Sequence, residues 1–463
     1  MTVIVSLDIG TSSICAMATR APDMRPLALR SVPNDADVNG LKAGRHEQDP
    51  LRALERCRSV MRDLLADESV EAGNVAGIGV SGQMHGVLLI DEDSKPLTNL
   101  ITWRDQRTAD PGQRGCLSEI VRGLPEDLAR RVGCGLHPGY GGATLRWLAM
   151  NGLAPSGARA LSMADFVAAD LTGIAATEPT HAASWGLLNL ESGTWDADVI
   201  GLLAIPEELL PAIHPSARPL RAILPERARA FGIPDTTQVC SPVGDNQASF
   251  IGAAGLDGDA MVVNLGTGGQ VSIPRKELAF AGGMETRPMP FGGCLLVGAT
   301  LCGGWSYAYL RRFYQAVARE IGGVEVSDEQ AYARMNALAA SADETAGGLT
   351  ADTRFSGTRG DPSLRGAVSG IGADNLTPGN LARAILEGMA RELRDMAFAA
   401  GLEGAREIVA GGNAPRMNPL LLDIIERQFG LPCRLGNVKE EAAAGAALAA
   451  ARGLGLLGAG GRG

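Results

Sequence analysis

Lysine is scarce in this 463-residue chain: only four lysines are present, and arginine supplies most of the positive charge. None of the lysines follows a glycine, so the chain lacks the G-x-x-x-x-G-K-[ST] loop that wraps phosphates in P-loop proteins. The formal net charge is −10, and no run of like charges stands out. We therefore expect no nucleic-acid partner, and any nucleotide must be bound without a P-loop.

The chain also lacks metal-binding and secretory signals. Its eight cysteines are scattered without a C-x-x-C pair, and its five histidines show no metal-ligand spacing. The segment Met1–Val5 has no basic residue, and the most apolar late stretch, residues 442–451, is too short to span a bilayer. We therefore expect a cytoplasmic protein with reduced thiols and no membrane segment.

Short apolar runs alternate with amphipathic segments along the chain. Val3–Leu7 and Val75–Val80 are predicted strands, whereas Pro50–Leu65 places its apolar residues at helical spacing. Near the C-terminus, a predicted helix over Pro419–Phe429 precedes a predicted strand over Pro432–Leu435. This alternation indicates an α/β fold, and the length fits two large domains.

A strand followed by a glycine-threonine turn occurs twice. Asp8–Ser12 follows the first predicted strand, and Asn264–Gly268 follows a similar apolar run in the second half. Such turns let backbone N–H groups approach phosphate oxygens, and a carboxylate such as Asp8 can hold Mg²⁺ directly or through water. Plain hairpin turns are the alternative, but the recurrence favours phosphate binding. The expected phosphate-binding residues are Gly10, Thr11 and Ser12 in the first turn and Gly266, Thr267 and Gly268 in the second.

Asp245 and Asn246 come directly after another predicted strand and before a predicted helix. Phosphoryl transfer to an alcohol needs a base near the hydroxyl and charge neutralisation at the γ-phosphate. Asp245 has the chemistry of that base, and Asn246 can orient the acceptor. An aspartate that only caps the helix is the alternative interpretation.

Polar and aromatic residues also follow predicted strands within Ser81–Gly86 and Thr102–Asp105. Sugar hydroxyls require directional hydrogen bonds, and sugar C–H faces stack on an indole ring. The candidate sugar contacts are Gln83, Met84, His85, Trp103 and Asn246. A structural histidine and a core tryptophan are the alternatives. The small residues of the loop Gly411-Gly412-Asn413 leave room for an adenine, unless this is an ordinary strand-to-helix loop.

In this order, the motifs resemble the FGGY family of carbohydrate kinases, within the actin-like ATPase superfamily. The resemblance implies two ribonuclease-H-like α/β domains around an interdomain cleft. Residues 1–238 would hold most of the sugar, and residues 239–463 most of the nucleotide. It also implies ATP and Mg²⁺ as cofactors, Asp245 as catalytic base, and Asp8 and Asp245 as the residues near the metal. The further nucleotide-lining positions that it implies are Gly303, Gly411, Gly412 and Asn418.

Within the family, Ser81–Gly86 is similar to the ketose branch, which contains xylulokinases and sedoheptulokinases. Four further stretches are more similar to sedoheptulokinases: Asn99–Asp105, Gly139–Thr144, Ala183–Asn189 and Gly357–Arg359. This resemblance implies phosphorylation of a terminal hydroxyl of sedoheptulose to give sedoheptulose 7-phosphate. A xylulokinase or another pentulose kinase is the alternative.

The chain departs from the family pattern at one place. Many members carry lysine or arginine a few residues after the first turn, where this chain has Ile14-Cys15. This departure suggests a catalytically weak sugar-binding protein as an alternative function. A non-sugar actin-like ATPase with the same nucleotide fold is a separate alternative. The sequence is compatible with a homodimer but does not fix the oligomeric state.

Overall fold

The computed structural model describes residues 1–120, 124–125, 127–358, 361 and 363–457. Its strands, in chain order, are β1 (Thr2–Ile9), β2 (Ser13–Ala21), β3 (Arg25–Pro33), β4 (Glu47–Gln48), β5 (Val75–Gly82), β6 (Leu88–Ile90), β7 (Leu100–Ile101), β8 (Arg159–Leu161), β9 (Ala176–Thr177), β10 (Leu188–Asn189), β11 (Thr194–Trp195), β12 (Ala212–Ile213), β13 (Pro219–Ala222), β14 (Gln238–Cys240), β15 (Val243–Gly244), β16 (Ala260–Leu265), β17 (Gly269–Arg275), β18 (Glu285–Pro288), β19 (Cys294–Thr300), β20 (Thr350–Asp352), β21 (Ala367–Ser369), β22 (Glu407–Gly411) and β23 (Cys433–Leu435).

Its helices, in chain order, are α1 (Pro50–Leu65), α2 (Leu128–Val132), α3 (Gly141–Met150), α4 (Met163–Thr172), α5 (Pro179–Ser184), α6 (Ala197–Leu203), α7 (Pro225–Phe231), α8 (Asp245–Ala254), α9 (Gly304–Gly322), α10 (Asp328–Ser341), α11 (Pro378–Ala400), α12 (Asn413–Met417), α13 (Pro419–Phe429) and α14 (Glu441–Gly453). The predicted helix over Pro50–Leu65 is confirmed with the same bounds. Asp49 caps it by accepting hydrogen bonds from two backbone N–H groups of its first turn.

The first sheet has the order β13-β14-β5-β1-β2-β3, and β15 also pairs with β5. Strand β1 runs antiparallel to β2 and parallel to β5. Buried residues are nearly continuous along β1, as in strands that are covered on both faces. Val5 and Leu7 belong to the core cluster that contains residues of α1 and α4, whereas Ile4 clusters with Ala447 and Ala450 of α14.

The second sheet has the order β18-β19-β17-β16-β22-β23. Strand β16 runs antiparallel to β17 and parallel to β22, so it occupies the place that β1 has in the first sheet. Helices α11 and α13 belong to one core of this sheet, and Phe250 of α8 belongs to another. Asp8 and Asn264 are each the last residue but one of the corresponding strands. The predicted repeat and the two ribonuclease-H-like α/β sheets are therefore confirmed.

The predicted division between residues 238 and 239 falls inside the first sheet. Gln238 and Val239 of β14 pair with Gly77 and Ile78 of β5, and β15 pairs with β5 through Gly244. Helix α14 also returns to pack against β1, β2 and β5. The predicted boundary thus divides one sheet between two domains. The pairing partner of β14, strand β5, lies far upstream in the chain, so the local sequence around residue 238 does not reveal it.

Helices α8 and α14 pack at very close range. A Cβ atom at Gly252 would overlap the carbonyl oxygen of Glu441, and one at Gly445 would overlap that of Ala248. Glycine at both positions allows the two helix backbones to touch. Because α8 begins at Asp245, this contact fixes the helix that carries the predicted base.

All eight cysteines are free thiols, as predicted, and seven of them are buried. None of the described helices combines the length and the apolar character that a membrane span requires.

Candidate active site

Three parallel strands of the first sheet end side by side. Asp8 of β1 pairs with Ser81 of β5, and Ser81 pairs on its other side with Val243 of β15. The carboxyl ends of parallel strands form the usual binding edge of an open α/β sheet. Asp245 follows Val243 by two residues, so the two aspartates flank the end of β5.

The two carboxylates differ in their surroundings. Asp8 accepts a hydrogen bond from Ser81 Oγ at 2.6 Å. Gly244 occupies the N-cap position and Asp245 is the first residue of α8, so Asp245 is not the N-cap residue of this helix. Burial raises the pKa of Asp8 to about 6, although the Ser81 bond opposes this rise. Burial and then the charge of Asp8 raise the pKa of Asp245 to about 7.

This pair has the donor set of a Mg²⁺ site that is completed by phosphates. Mg²⁺ prefers oxygen ligands, keeps several waters, and is commonly held by one or two carboxylates together with substrate phosphates. Within the described ranges, no group of three or more His, Cys, Asp or Glu residues could form a complete metal cage. Asp8 and Asp245 therefore fit an ion that arrives with a nucleotide, and its binding would offset the repulsion between them.

The first glycine turn is tight and is held from one side. Gly10 N donates a hydrogen bond to Ser13 O at 2.9 Å, which closes the turn. Asn34 Nδ2 donates to Gly10 O at 2.8 Å, and Asn34 N donates to Ser12 O at 2.9 Å. Gly10, Thr11 and Ser12 are thus fixed as one unit at the end of β1.

Thr11 links this turn to two of the predicted sugar contacts. Trp103 Nε1 donates to Thr11 Oγ1 at 2.9 Å, and Thr11 Oγ1 donates to Gln83 Oε1 at 3.1 Å. Gln48 completes the cluster, since it accepts from Gln83 Nε2 at 2.8 Å and donates to Thr11 O at 2.9 Å. Trp103 is 42% exposed, so it is not a core tryptophan, and its ring is accessible.

His85 has an unusual backbone conformation that its neighbours hold in place. Its φ is 72°, which is strained for a residue other than glycine. Its backbone N donates to Ser184 Oγ at 3.0 Å, and its ring Nδ1 is 2.8 Å from Ser184 O. The imidazole stacks on Tyr140, with ring centroids 4.0 Å apart and an interplanar angle of 17°. Strain of this kind is typical of functional sites.

Met84 lies directly beside the segment that leads to Asp245. A Cβ atom at Gly244 would lie only 2.8 Å from Met84 Sδ, so the methionine side chain packs directly on the Gly244 backbone. Met84 is buried, and it brings the end of β5 against the start of α8.

The second domain contributes charged residues that sequence analysis missed. Tyr140 Oη donates to Glu285 Oε1 at 2.7 Å, and Glu285 forms an ion pair with Arg287 at 2.6 Å. The positive charge of Arg287 acts on Asp245 and opposes the rise in its pKa. No linear motif marks these residues, because they lie in an edge strand, β18, that only the fold brings to Tyr140.

Gln270 is a second residue that sequence analysis missed. Asn246 Nδ2 donates to Gln270 Oε1 at 2.9 Å. Gln270 pairs with Asn264 across the β16–β17 hairpin, whose turn contains Gly266, Thr267 and Gly268. Asp245, next to Asn246, therefore lies near the second glycine turn as well as near Asp8. A polar residue two positions after Gly268 was the local signal available in the sequence.

The second glycine turn borders a cavity of about 800 Å³, a size typical of small-molecule sites. Its lining residues include Gly266, Thr267, Trp305, Asn413 and Asn418. The turn is fixed against α9, because Gly304 N donates to Gly266 O at 2.8 Å and Trp305 N donates to Thr267 O at 3.2 Å. A Cβ atom at Gly303 would overlap the carbonyl oxygen of Gly268.

Gly411 and Gly412 are not among the residues that line this cavity. Gly412 has φ 84°, and a Cβ atom there would lie 2.5 Å from Leu265 O. A Cβ atom at Gly411 would lie 3.1 Å from Glu441 Oε2. Both glycines let the end of β22 approach its neighbours, and Asn413 is the residue of this loop that reaches the cavity. Arg359, part of the stretch Gly357–Arg359, lies outside the described residues.

Cys15 pairs with Asp8 across β1 and β2. Its side chain clusters with Met17 and with Ala443 of α14. Burial, together with the charges of Glu440 and Asp8, raises the pKa of the Cys15 thiol to about 12. The thiol is therefore neutral, and this position supplies no positive charge beside Asp8.

Comparison with known proteins agrees with this geometry. The model of the FGGY family of carbohydrate kinases, N-terminal domain, matches residues 3–252, and the model of the C-terminal domain matches residues 261–454. A sedoheptulokinase from Mus musculus is 29% identical over 96% of both chains. A glycerol kinase from Thermus brockianus is 30% identical over 99% of this chain and 91% of its own.

A solved structure supports the same assignment. The crystal structure of a xylulose kinase from Rhodospirillum rubrum matches with a TM-score of 0.85 at 26% identity, over 97% of this chain and 90% of that one. The predicted actin-like ATPase fold, with two α/β domains, and the predicted sugar kinase activity are thus confirmed. The chain belongs to the FGGY family of carbohydrate kinases.

Proposed function

We propose that this carbohydrate kinase transfers the γ-phosphate of ATP to a terminal hydroxyl of a ketose, with Asp245 as catalytic base. One observation carries the proposal: Asp245 lies where three groups of residues converge. Asp8 lies near the end of β1, and Asp245 directly follows β15, which ends at the same edge of the sheet. Met84 packs against Gly244, the residue before Asp245. Asn246, the residue after it, donates a hydrogen bond to Gln270 beside the second glycine turn.

Asp245 suits proton removal from an alcohol. Its pKa of about 7 is well above the ordinary range of a carboxyl, so the carboxylate binds a proton more strongly than an ordinary aspartate does. Because this pKa lies near neutral pH, a large fraction of the Asp245 side chains is still ionised there and can accept a proton. As the hydroxyl oxygen attacks the γ-phosphorus, the Asp245 carboxylate takes the proton and becomes a neutral acid. His85, Trp103, Gln83 and Asn246 orient the sugar for this attack.

Asp8 and Asp245 would hold Mg²⁺, directly or through water. When bound with ATP, the ion supplies positive charge that offsets the negative charge on the transferred phosphoryl group. We assign the backbone N–H groups of Gly10–Ser12 and Gly266–Gly268 to the phosphate oxygens. We place the rest of the nucleotide in the cavity that Asn418 lines, with Gly303, Gly411 and Gly412 as the glycines that shape its surroundings.

We propose sedoheptulose as the substrate and sedoheptulose 7-phosphate as the product. The support is the similarity to the mouse sedoheptulokinase along nearly the whole of both chains. Two of the stretches that resemble sedoheptulokinases, Asn99–Asp105 and Ala183–Asn189, contribute Trp103 and Ser184 to the proposed site. D-Xylulose is the second candidate, because the xylulose kinase from R. rubrum shares the fold over nearly the whole chain.

An ADP-release screen tests the function and the substrate together. The panel contains sedoheptulose, D-xylulose, D-ribulose, L-ribulose, D-fructose and glycerol, and Asp245→Asn is the negative control. The proposal expects the highest kcat/KM with sedoheptulose. A higher value with D-xylulose would correct the substrate and leave the kinase assignment intact. ADP release that needs no sugar would instead favour a non-sugar ATPase. Tight sugar binding without ADP release would favour a catalytically weak sugar-binding protein.

We further propose a cytoplasmic location, in agreement with the eight free thiols. A homodimer stays a prediction, and light scattering of the purified protein measures it directly.

A further inference from the structure

The short helix α5 contacts both halves of the proposed site. Near its start, Thr180 Oγ1 accepts a hydrogen bond from Gly244 N at 2.7 Å, directly before Asp245. At its end, Ser184 Oγ accepts from His85 N at 3.0 Å. One helical element is therefore bonded both to the backbone that leads to the proposed base and to the proposed sugar-binding histidine.

A buried carboxylate anchors this helix. Glu178 precedes α5 and accepts hydrogen bonds from Thr180 N and His181 N, both at 2.8 Å. It also accepts from the hydroxyls of Thr180 and Ser216. Because Thr180 gives its single hydroxyl proton to Glu178, the oxygen lone pairs are left to accept from Gly244 N. The carboxylate thus sets the direction of the hydroxyl.

Gly244 is confined from the opposite side as well. A Cβ atom there would lie 2.8 Å from Met84 Sδ and 2.9 Å from Gln247 Oε1. Gly244 is also the N-cap residue of α8, so its place determines where Asp245 begins the helix. A shift of the Gly244 backbone would therefore also move the carboxylate of Asp245.

His85 depends on its α5 partner for a different reason. Its left-handed backbone is strained, and a strained residue persists only where surrounding bonds hold it. The Ser184 hydroxyl accepts from the His85 backbone N–H, and the Ser184 carbonyl lies within hydrogen-bond distance of the ring.

We propose that Thr180 and Ser184 are positioning residues for phosphoryl transfer. Thr180 sets the place of Asp245 through Gly244, and Ser184 sets the orientation of the sugar through His85. The inference rests on the proposed function, since it takes Asp245 as the base and His85 as a sugar contact. Neither hydroxyl needs to touch the substrate for this role.

Thr180→Val tests the first half, because valine keeps the shape of threonine and removes the hydroxyl. Gly244 N–H then loses its acceptor, and kcat should fall about ten- to a hundredfold, the range expected when a catalytic group is misplaced. The KM for ATP should not change. Thr180→Ser keeps the hydroxyl and should retain kcat close to the wild-type value.

Thr177→Val is the matched control. Thr177 is also fully buried, and its hydroxyl donates to a buried carboxylate, Asp165 Oδ2, at 2.8 Å. This variant should lose a similar amount of thermal stability while keeping the wild-type kcat. Equal losses of kcat in Thr177→Val and Thr180→Val, or in Thr180→Ser and Thr180→Val, would overturn the inference.

Ser184→Ala tests the second half. It should raise the KM for the sugar and weaken sugar binding measured by calorimetry without nucleotide, with a smaller effect on kcat. Unchanged sugar affinity would remove Ser184 from the proposal.

Two further measurements cover the remaining outcomes. If Thr180→Val does not fold, hydrogen exchange of the Gly244 amide in the wild-type protein decides: strong protection supports the bond to Thr180, and rapid exchange overturns it. Full activity of Asp245→Asn would contradict the proposed function instead, so the two failures can be told apart.

Discussion

Trp103 Nε1 donates a hydrogen bond to Thr11 Oγ1 at 2.9 Å, although 92 positions separate the two residues in the chain. The bond joins a proposed sugar-stacking ring to the first glycine turn, which is a proposed phosphate site. The proposed sugar site and the proposed phosphate site thus share one hydroxyl, which also donates to Gln83.

Trp103→Phe keeps an aromatic face and deletes the N–H donor. We expect the KM for the sugar to rise about three- to tenfold, which corresponds to one hydrogen bond of about 0.5–1.5 kcal/mol. Trp103→Ala should raise it further, because the stacking surface is lost too. Steady-state kinetics with varied sugar measures both effects. Equal KM values for Trp103→Phe and the wild type would show that the bond is unimportant for the sugar.

Asp245→Asn should lower kcat by about 10²–10⁴-fold, the usual contribution of a general base, and leave ATP binding nearly intact. The same change should stabilise the free protein. At pH 8 the wild-type carboxylate is ionised in a buried place that raises its pKa to about 7, whereas it titrates at the ordinary 3.8 when unfolded. The folded state therefore binds the proton more tightly, and ionisation at high pH costs stability.

The expected gain of Asp245→Asn at pH 8 is of the order of 4 kcal/mol in the free energy of unfolding, because the pKa rises from 3.8 to about 7 on folding. It should shrink as the pH falls below 7 and the wild-type carboxyl becomes protonated, and it should be lost near pH 4. Denaturant unfolding at several pH values measures this gain. A variant that is less stable than the wild type at pH 8 would contradict the burial of an ionised Asp245.

The rate should also depend on pH in a defined direction. Because the base must be ionised to accept a proton, kcat/KM should fall as the pH drops below about 7, not below 4 as for an ordinary aspartate. Bound Mg²⁺ would favour the ionised form, so the acid limb of kcat should lie at lower pH than that of kcat/KM. A profile of kcat/KM that is flat down to pH 5 would exclude Asp245 as a base with a raised pKa.

Arg287→Met should move that acid limb to higher pH. The positive charge of Arg287 lowers the pKa of Asp245, and its removal also leaves Glu285 without its cationic partner. Arg287→Lys retains the charge and serves as the control, with an acid limb close to that of the wild type. If both variants shift the limb equally, the hydrogen-bonding geometry at Arg287 matters more than its charge.

Gly445→Ala should destabilise the protein by about 1–3 kcal/mol and lower kcat, because the new methyl group overlaps the Ala248 backbone in α8. Gly201→Ala is the matched control: it lies inside α6 with no atom within 4 Å of the added Cβ, so it should be neutral or slightly stabilising. Thermal unfolding and kcat of both variants provide the comparison. A neutral Gly445→Ala would show that α8 and α14 can separate without cost.

The sequence was informative wherever local chemistry decides the structure. The helix over Pro50–Leu65 could be predicted with its bounds, because its apolar residues keep helical spacing from its start to its end. The recurrence of a glycine-threonine turn after Asp8 and Asn264 reflects two strands, β1 and β16, that each pair with an antiparallel strand on one side and a parallel strand on the other. These signals lie within a few consecutive residues, so a single sequence reveals them.

Contacts between distant segments could not be read in this way. Gln270 and Arg287 reach the site because β17 and β18 of the second sheet approach α8, and no spacing along the chain records that approach. Gly411 ends strand β22 and Gly412 follows it, but the sequence does not say which residues of this segment face the cavity. The division at residue 238 missed the pairing of β14 with β5 for the same reason.

Helix α14 (residues 441–453) covers one face of the first sheet at β1 (residues 2–9). It also contacts α8, the helix that starts at Asp245. During synthesis, Ile4 and its neighbours on that face are therefore not covered until a segment more than four hundred residues later has been translated. A chain that ends before residue 441 would leave this face of the sheet uncovered. It would also lack the helix that packs against α8, which begins at the proposed base Asp245.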